Sequence, residues 1–212
     1  MKITRSPRLA VAVVGAVVLP LALAACSNDS SKSDSAKSTP AAAPGKSKTT
    51  NAMDTSKPFG PGCAAVPKDG AGSFDGMAKD PVATAASHNP ALSTLVSAVK
   101  KAGLVDTLNN AQNITVFAPT NDAFNKIPKA TLDKVLNDKA MLTKILTYHV
   151  VGQKLTPKQL ENGSYTTLEK GKITTSGSGT SYQVNDNSNV VCGNVPTANA
   201  TVYIVDTVLM PK

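Results

Sequence analysis

The apolar positions of the chain follow a different pattern in each of three stretches. Residues 9–23 are almost continuously apolar and follow a short segment with three basic residues. Residues 27–62 are rich in Ser, Lys, Ala, Thr and Pro and contain almost no large apolar side chain. From residue 63 onward, apolar residues recur first at helical spacing and later in short β-rich runs. The pattern predicts one folded domain over residues 63–212, preceded by a linker that cannot bury enough surface to fold.

The first 25 residues have the order of a secretory signal peptide, with basic residues, an apolar core and small residues before a cleavage site. A membrane-spanning helix is the alternative, but it needs about 20 apolar residues, and this run ends sooner. Residues 23–26 read LAAC and resemble the lipobox of bacterial lipoproteins, in which the cysteine is diacylated and becomes the first residue. We therefore predict a signal peptide over residues 1–25 and a flexible linker over residues 26–62 that starts at a lipidated Cys26. Two acyl chains hold a protein stably on a membrane.

Helix signals come first within the folded part. The pairs Asp80-Pro81 and Asn89-Pro90 each place a capping side chain before a proline at the first helical position. After Asn89, apolar residues at helical spacing lead to Gly103, which stands where a C-terminal glycine belongs. Two further amphipathic helices are predicted around the apolar residues Leu132, Val135, Leu136, Leu142, Ile145 and Leu146.

Strand signals dominate the second half. Residues 114–118 are β-rich, and beyond His149 short β-rich runs alternate with turn residues. The predicted strands are residues 166–168, 172–175, 181–184, 189–192 and 201–205. Helices early and an antiparallel sheet late predict an α+β fold, an antiparallel β-sandwich or wedge with several short α-helices on the N-terminal half.

Two cysteines, Cys63 and Cys192, remain if Cys26 carries lipid. Outside the membrane the compartment is oxidising, so such a pair indicates a disulfide rather than a redox or metal site. Two buried free thiols are the alternative. A bridge would close a loop across nearly the whole domain, which the chain-entropy account values at about 5 kcal/mol.

The net charge of +8 overstates the basic character of the mature protein. Three of the 22 basic residues lie in the predicted signal peptide, which leaves 19 Lys against 14 acidic residues. Both Arg residues of the chain, Arg5 and Arg8, lie in the predicted signal peptide, so the mature protein has no Arg. Arg is the preferred side chain for binding phosphate and guanine. The remaining Lys residues are scattered among acidic residues. We therefore expect no nucleic-acid partner.

Three segments of the domain resemble the signature blocks of fasciclin (FAS1) domains. The blocks are residues 115–128 (TVFAPTNDAFNKIP), 145–151 (ILTYHVV) and 200–211 (ATVYIVDTVLMP). Their order and spacing extend the resemblance over essentially all of residues 63–212. Residues 59–65 and 80–87 also resemble the single-domain fasciclin lipoproteins and secreted antigens of mycobacteria and related actinobacteria.

The resemblance implies a fasciclin-like fold and supports the bridge between Cys63 and Cys192. It also implies a structural or interaction role for the motif residues Phe117, Pro119, Thr120, Asn121, Asp122, Phe124, Tyr148 and His149. From the residues themselves, Pro119 ends a strand because it cannot donate to a ladder, and Thr120 or Asn121 caps the next helix.

His149 lies in an apolar run, so we expect a buried, neutral imidazole with a structural role. We predict that its hydrogen-bond partner is Asn121 or Asp122. Nucleophile-elbow, phosphate-loop and zinc-protease motifs are absent from the sequence. Residues 186–189 lack the glycine and glutamate of a calcium loop, so a hairpin turn is expected there. We predict no enzyme activity, no cofactor and no metal site.

Two function classes remain. Fasciclin domains generally mediate adhesion to cells, matrix proteins or polysaccharide. The resemblance thus implies an interaction module, which the pattern at Cys26 would anchor by lipid at the surface. We expect a monomeric domain, and the residues do not name its protein or polysaccharide partner. The alternative is an envelope lipoprotein that holds a lipid or small apolar ligand between sheet and helices. A sizeable apolar pocket would favour this alternative.

Overall fold

The computed structural model describes residues 57–211, and this part of the chain contains seven short α-helices. No helix within it is long and apolar enough to cross a membrane. Single 3-10 turns lie at Pro61–Ala65, Pro90–Leu92 and Pro157–Glu161. The helices are α1 Phe74–Met77, α2 Val82–Ser87, α3 Ser93–Ala102, α4 Val105–Asn110, α5 Asn121–Asn125, α6 Lys129–Asn137 and α7 Lys139–Tyr148.

Seven strands form one sheet in the order β2-β1-β7-β6-β5-β4-β3. The strands are β1 Ile114–Pro119, β2 Val150–Val151, β3 Asn162–Thr166, β4 Lys172–Ser178, β5 Ser181–Val184, β6 Ser188–Pro196 and β7 Ala200–Val205. Five of the six predicted strands are present, with ends within a few residues of the prediction. The strand predicted at residues 166–168 is wrong. The paired segment ends at Thr166, and Thr167 makes only an isolated bridge to Val151.

The sheet is mixed and almost closes on itself. β1 and β7 run parallel in register from Ile114 opposite Ala200 to Pro119 opposite Val205. Each of the other strand pairs is antiparallel. The Val151–Thr167 bridge joins β2 to the segment after β3, which brings the two sheet edges together. The α+β class is confirmed, and the sheet forms a wedge that is nearly a barrel.

Two apolar clusters lie on opposite faces of the central strands. Ile114, Val116 and Ala118 of β1 face the cluster beneath the helices. Phe117, between them, faces a second cluster inside the curved sheet, where its ring stacks on Tyr203 at 5.8 Å. Because neighbouring strand residues point to opposite faces, a strand covered on both sides is apolar throughout. This explains why every residue of β1 is buried.

Most local helix signals are confirmed. Asn89 accepts a hydrogen bond from the Ala91 N–H at 3.0 Å, as predicted for a capping residue. Gly103 ends α3 with a φ of 73°, the left-handed conformation that glycine adopts without strain. Both amphipathic helices predicted after residue 128 form as α6 and α7.

The cap predicted at Asp80 is wrong. Helix α2 starts at Val82, and the Val82 N–H donates to the side chain of Asn199 at 2.8 Å. Asp80 instead lies 3.3 Å from the imidazole of the exposed His88. The Asn199 amide nitrogen donates to the carbonyls of Leu108 at 2.8 Å and Ala111. The buried Asn199 side chain thus joins the start of α2 to the end of α4. Asn199 lies 117 residues after Val82 in the sequence.

Candidate functional site

The predicted bridge between Cys63 and Cys192 is confirmed. Their Cα atoms lie 4.8 Å apart across a sequence separation of 129 residues. Cys63 belongs to the first 3-10 turn, and Cys192 is fully buried in β6. Beside them Phe59 and Gly193 exchange backbone hydrogen bonds at 3.1 and 2.8 Å. The bridge therefore fastens the start of the domain to the central sheet.

The first motif block links strand β1 to the helices. The backbone N–H of Thr120 donates to the Val205 carbonyl at 3.0 Å, which continues the sheet for one residue beyond Pro119. The Thr120 hydroxyl accepts from the Ala123 N–H at 3.2 Å, so Thr120 is the cap of α5. Phe124 is buried in the cluster beneath the helices. These motif residues have structural roles.

Asn121 caps a different helix from the one predicted. Its side-chain oxygen accepts from the Thr94 N–H at 2.9 Å, and its amide nitrogen donates to the Pro90 carbonyl at 2.9 Å. Thr94 lies in the first turn of α3 and Pro90 in the 3-10 turn before it, so Asn121 joins both elements to the first motif block. The neighbouring Asp122 is exposed in the first turn of α5.

Tyr148 lies at the end of α7 with its ring inside the sheet cluster and 4% of its surface exposed. Its hydroxyl donates to the Lys172 carbonyl at 2.8 Å and accepts from the Asn185 amide at 3.1 Å. The phenol thereby holds α7 against strand β4 and the turn that follows β5. Tyr148 also lines a surface cleft, described below.

His149 is buried, as predicted, but the partner predicted for it is wrong. Its Nδ1 lies 2.8 Å from the Ile145 carbonyl, and its Nε2 accepts from the Leu209 N–H at 2.9 Å. A carbonyl only accepts, so Nδ1 carries the proton. Asn121 and Asp122 make no contact of this kind, because the Asn121 amide is bound to α3 and Asp122 faces solvent.

Burial lowers the pKa of His149 to about 4, and the hydrogen bond to the Ile145 carbonyl offsets this shift only in part. Loss of water disfavours the charged imidazolium. The ring is therefore neutral at physiological pH, and both of its nitrogens are occupied by backbone groups. It functions as a clamp between α7 and the C-terminal segment.

A polar cleft of about 280 Å³ opens beside Tyr148. Its walls include Glu169, Lys172, Asn185 and Asp186. Lys172 and Asp186 are exposed, and Asp186 stands at a φ of 55° in the turn between β5 and β6. That turn is the hairpin predicted at residues 186–189. The described residues contain no cluster of side chains able to hold a metal ion.

An apolar cavity of about 160 Å³ lies between helices α2–α4 and the sheet. Met77, Val96, Val116 and Val202 are among its lining residues. The exposed Lys100 also lines it, so the cavity reaches the surface near the end of α3. The sequence pattern did not locate this cavity, because most of its lining residues are apolar and look like ordinary core positions.

The lipidation predicted at Cys26 lies outside the described residues. The same is true of the signal peptide over residues 1–25 and of all but the last six residues of the predicted linker. Two features were not predicted from the sequence, the structural role of Asn199 and the burial of the capping residue Asn89. Neither an Asn before a Pro nor an Asn in an N-x-T triplet indicates that the side chain is buried.

Residues 90–211 match the Fasciclin domain. The chain is 47% identical to the cell surface glycolipoprotein MPB83 of Mycobacterium bovis over 199 residues, which cover 89% of each protein. It is 49% identical to the immunogenic protein MPB70 of the same species, over 72% of this chain and 81% of that protein.

The fold resembles a solved FAS1 domain pair from the insect cell adhesion molecule fasciclin I. The TM-score is 0.52 at 21% identity, and the match covers 64% of this chain. The same match covers 52% of the chain in the solved structure. The domain match covers more than half of the chain, and the relatives are similar over most of it. The chain belongs to the Fasciclin domain family.

Proposed function

We propose that the chain is an exported, lipid-anchored surface protein whose fasciclin domain binds a protein or polysaccharide outside the membrane. Relatives at 47% identity are named as cell surface glycolipoproteins. The structural neighbour comes from a protein named as a cell adhesion molecule. In this proposal the domain is a binding module and not an enzyme.

Export and anchoring rest on two independent features. The signal pattern and the lipobox-like sequence at Cys26 support attachment through a diacylglyceryl group. The Cys63–Cys192 bridge supports an oxidising compartment, where structural disulfides persist. A module held in this way would face the cell wall or the surroundings, with the linker setting its distance from the membrane.

The polar cleft beside Tyr148 is the observation that carries the binding proposal. Glu169, Lys172, Asn185 and Asp186 line one opening, and the exposed Lys172 and Asp186 contribute an ammonium and a carboxylate. Such groups donate to and accept from hydroxyl and amide groups, which polysaccharides and protein backbones present. Tyr148 is buried and lines the cleft, so in this proposal it positions the cleft through its hydrogen bonds to Lys172 and Asn185. His149 does not line the cleft and does not face the partner.

Adhesion of coated beads tests the cleft directly. Beads carrying the protein are passed over immobilised wall polysaccharide and matrix protein, and retained beads are counted. The double variant Lys172→Gln with Asp186→Asn removes both charges and keeps a residue that tolerates positive φ at position 186. We expect it to lose at least tenfold in retention.

A matched control changes the same two residue types elsewhere. Lys129→Gln with Asp133→Asn removes one positive and one negative charge from the exposed surface of α6. We expect this variant to bind like the unaltered protein. Equal retention of all three proteins on the surface that binds them would exclude the cleft as the contact.

The apolar cavity favours a second candidate function, binding of a small apolar ligand. Its lining is mostly Ala, Val, Leu and Met from helices and sheet, which is typical of ligand sites. This function does not compete with adhesion for residues, because the cleft and the cavity share no lining residue. Mass spectrometry of organic extracts from the purified protein tests it.

A further inference from the structure

The size of the cavity limits what it can hold. Its volume of about 160 Å³ is close to that of an engineered apolar cavity of about 150 Å³ in which benzene binds. It thus accommodates a single ring or a chain of about six carbon atoms. A whole two-chain lipid is far too large for this space.

One polar group at the cavity lacks a partner. Asn89 lines the cavity, and only 1% of its surface is exposed. Its Oδ1 accepts from the Ala91 N–H at 3.0 Å, and this cap determines which side of the amide carries the oxygen. The amide nitrogen, Nδ2, is buried and has no hydrogen-bond partner among the described residues. An unpaired buried donor is unfavourable by about 1–3 kcal/mol, so a ligand acceptor that reaches Nδ2 from the cavity would be stabilised there.

The surroundings favour a neutral acceptor. The charged residue in the lining is Lys100, which is exposed in the last turn of α3. Lys100 is seven positions after Ser93, the first residue of α3, and a rise of 1.5 Å per residue gives about 10 Å along the helix. The 3-10 turn Pro90–Leu92 lies between Ser93 and Asn89. A carboxylate bound to Asn89 would therefore be buried far from this cation, which is strongly unfavourable. A ketone or ester carbonyl accepts a hydrogen bond without this penalty.

His149 does not provide an alternative polar contact. It also lines the cavity, but its two ring nitrogens are bound to the Ile145 carbonyl and the Leu209 N–H. A ligand that used the imidazole would have to break one of these bonds. Asn89 requires no such exchange.

We propose that this cavity binds a small neutral carbonyl compound, a ring or a short hydrocarbon chain whose ketone or ester oxygen accepts from Asn89 Nδ2. The inference deepens the second candidate function, binding of a small apolar ligand, and rests on it. It is independent of adhesion through the cleft.

Two probes of nearly the same shape test the carbonyl. Acetophenone carries a ketone on a benzene ring, and ethylbenzene lacks that oxygen. Affinities are measured from chemical-shift changes on the chain from residue 27 onward, which retains both core clusters, the sheet and the disulfide. We expect acetophenone to bind about five- to tenfold more tightly, the effect of one hydrogen bond to a buried donor. A purely apolar cavity would prefer ethylbenzene, because an unpaired carbonyl is unfavourable there.

Asn89→Asp separates the donor from the cap. Asp caps a helix as well as Asn does, and at a pH that keeps the new carboxyl ionised it has only acceptor oxygens where Nδ2 stood. The variant should lose the preference for acetophenone and bind ethylbenzene within about twofold of the unaltered protein. If Asn89→Asp does not fold, Asn89→Ser keeps the capping oxygen and also lacks the amide donor, with the same expected result.

Two further variants locate the site and test the charge of the ligand. Ala86→Leu places a larger side chain in the lining and should weaken both probes at least tenfold. Lys100→Gln should leave both affinities unchanged, because the ligand is neutral.

Each outcome decides the inference. Tighter binding of ethylbenzene to the unaltered protein, or an acetophenone preference that survives Asn89→Asp, overturns the carbonyl assignment and leaves the ligand-binding function standing. Absence of binding by both probes overturns the assignment and that function together. None of these results bears on bead adhesion, which is measured separately.

Discussion

Replacing His149 by Ala tests whether this motif residue is a structural clamp or a contact for a partner. The ring is 2% exposed and bonds to the backbone at two places, Ile145 and Leu209. Its removal leaves the Leu209 N–H without an acceptor in the protein interior. It also removes packing between α7 and the C-terminal segment.

The expected loss of stability follows from these contacts. An unsatisfied buried N–H is unfavourable by about 1–3 kcal/mol, and the void adds to this, so we expect a loss of about 2–4 kcal/mol in total. The Ile145 carbonyl still accepts from the backbone N–H of residue 149, at 3.3 Å, which limits the loss on that side. In a domain of this size each kcal/mol lowers Tm by about 2–4 °C, so Tm should fall by roughly 4–16 °C.

Thermal and urea unfolding with the disulfide intact measure the change, and His88→Ala is the matched control. His88 is exposed and faces Asp80 at 3.3 Å, and a surface pair of this kind contributes at most about 1 kcal/mol. A His149→Ala protein with the Tm of the unaltered protein would refute the clamp. If that protein also lost all adhesion, His149 would be a contact residue.

Three other perturbations have equally definite outcomes. The pKa of His149 is about 4 in the folded protein and 6.5 in the unfolded chain, so the unfolded state binds more protons between these values. The free energy of unfolding should therefore fall by up to about 3 kcal/mol as pH drops from 6.5 to 4. Urea titrations at several pH values should show this decrease in the His88→Gln variant but not in the His149→Gln variant. Replacing both Cys63 and Cys192 by Ser opens a loop of about 130 residues and should lower the free energy of unfolding by about 5 kcal/mol; unchanged urea midpoints would contradict this. The Cys26→Ser variant should no longer be labelled by a radioactive fatty acid, and it should remain as uncleaved precursor or be shed from the cell. If the variant stays on the membrane with the mass of the mature protein, the lipid anchor is excluded.

Local sequence signals predicted many of the elements because their causes lie within a few residues. The cap at Asn89, the glycine at Gly103 and the cap at Thr120 each act on backbone groups nearby in sequence. Strand β5 lies at the predicted residues, since turn residues at positive φ, Gly179 before it and Asn185 after it, mark both of its ends. The motif blocks were recognisable for the same reason.

Contacts between distant segments were not predictable in this way. Asn199 caps a helix 117 residues earlier, and the partner of His149 is a backbone N–H 60 residues later. A polar side chain in an apolar run indicates that a partner exists, because a buried polar group needs one. It does not indicate which of many donors the fold brings near. This is why the predicted contact from His149 to Asn121 or Asp122 failed.

By itself, the sequence of this protein determined the fold class, the order of most elements and the family. These depend on side-chain periodicity, turn residues and motif blocks, all of which are written along the chain. The tertiary structure alone decided the parallel pairing of β1 with β7, the near closure of the sheet, the cleft at Tyr148 and the cavity beside Asn89. Those features depend on which surfaces meet after the chain has folded, and a cavity is a space between elements that no single element encodes.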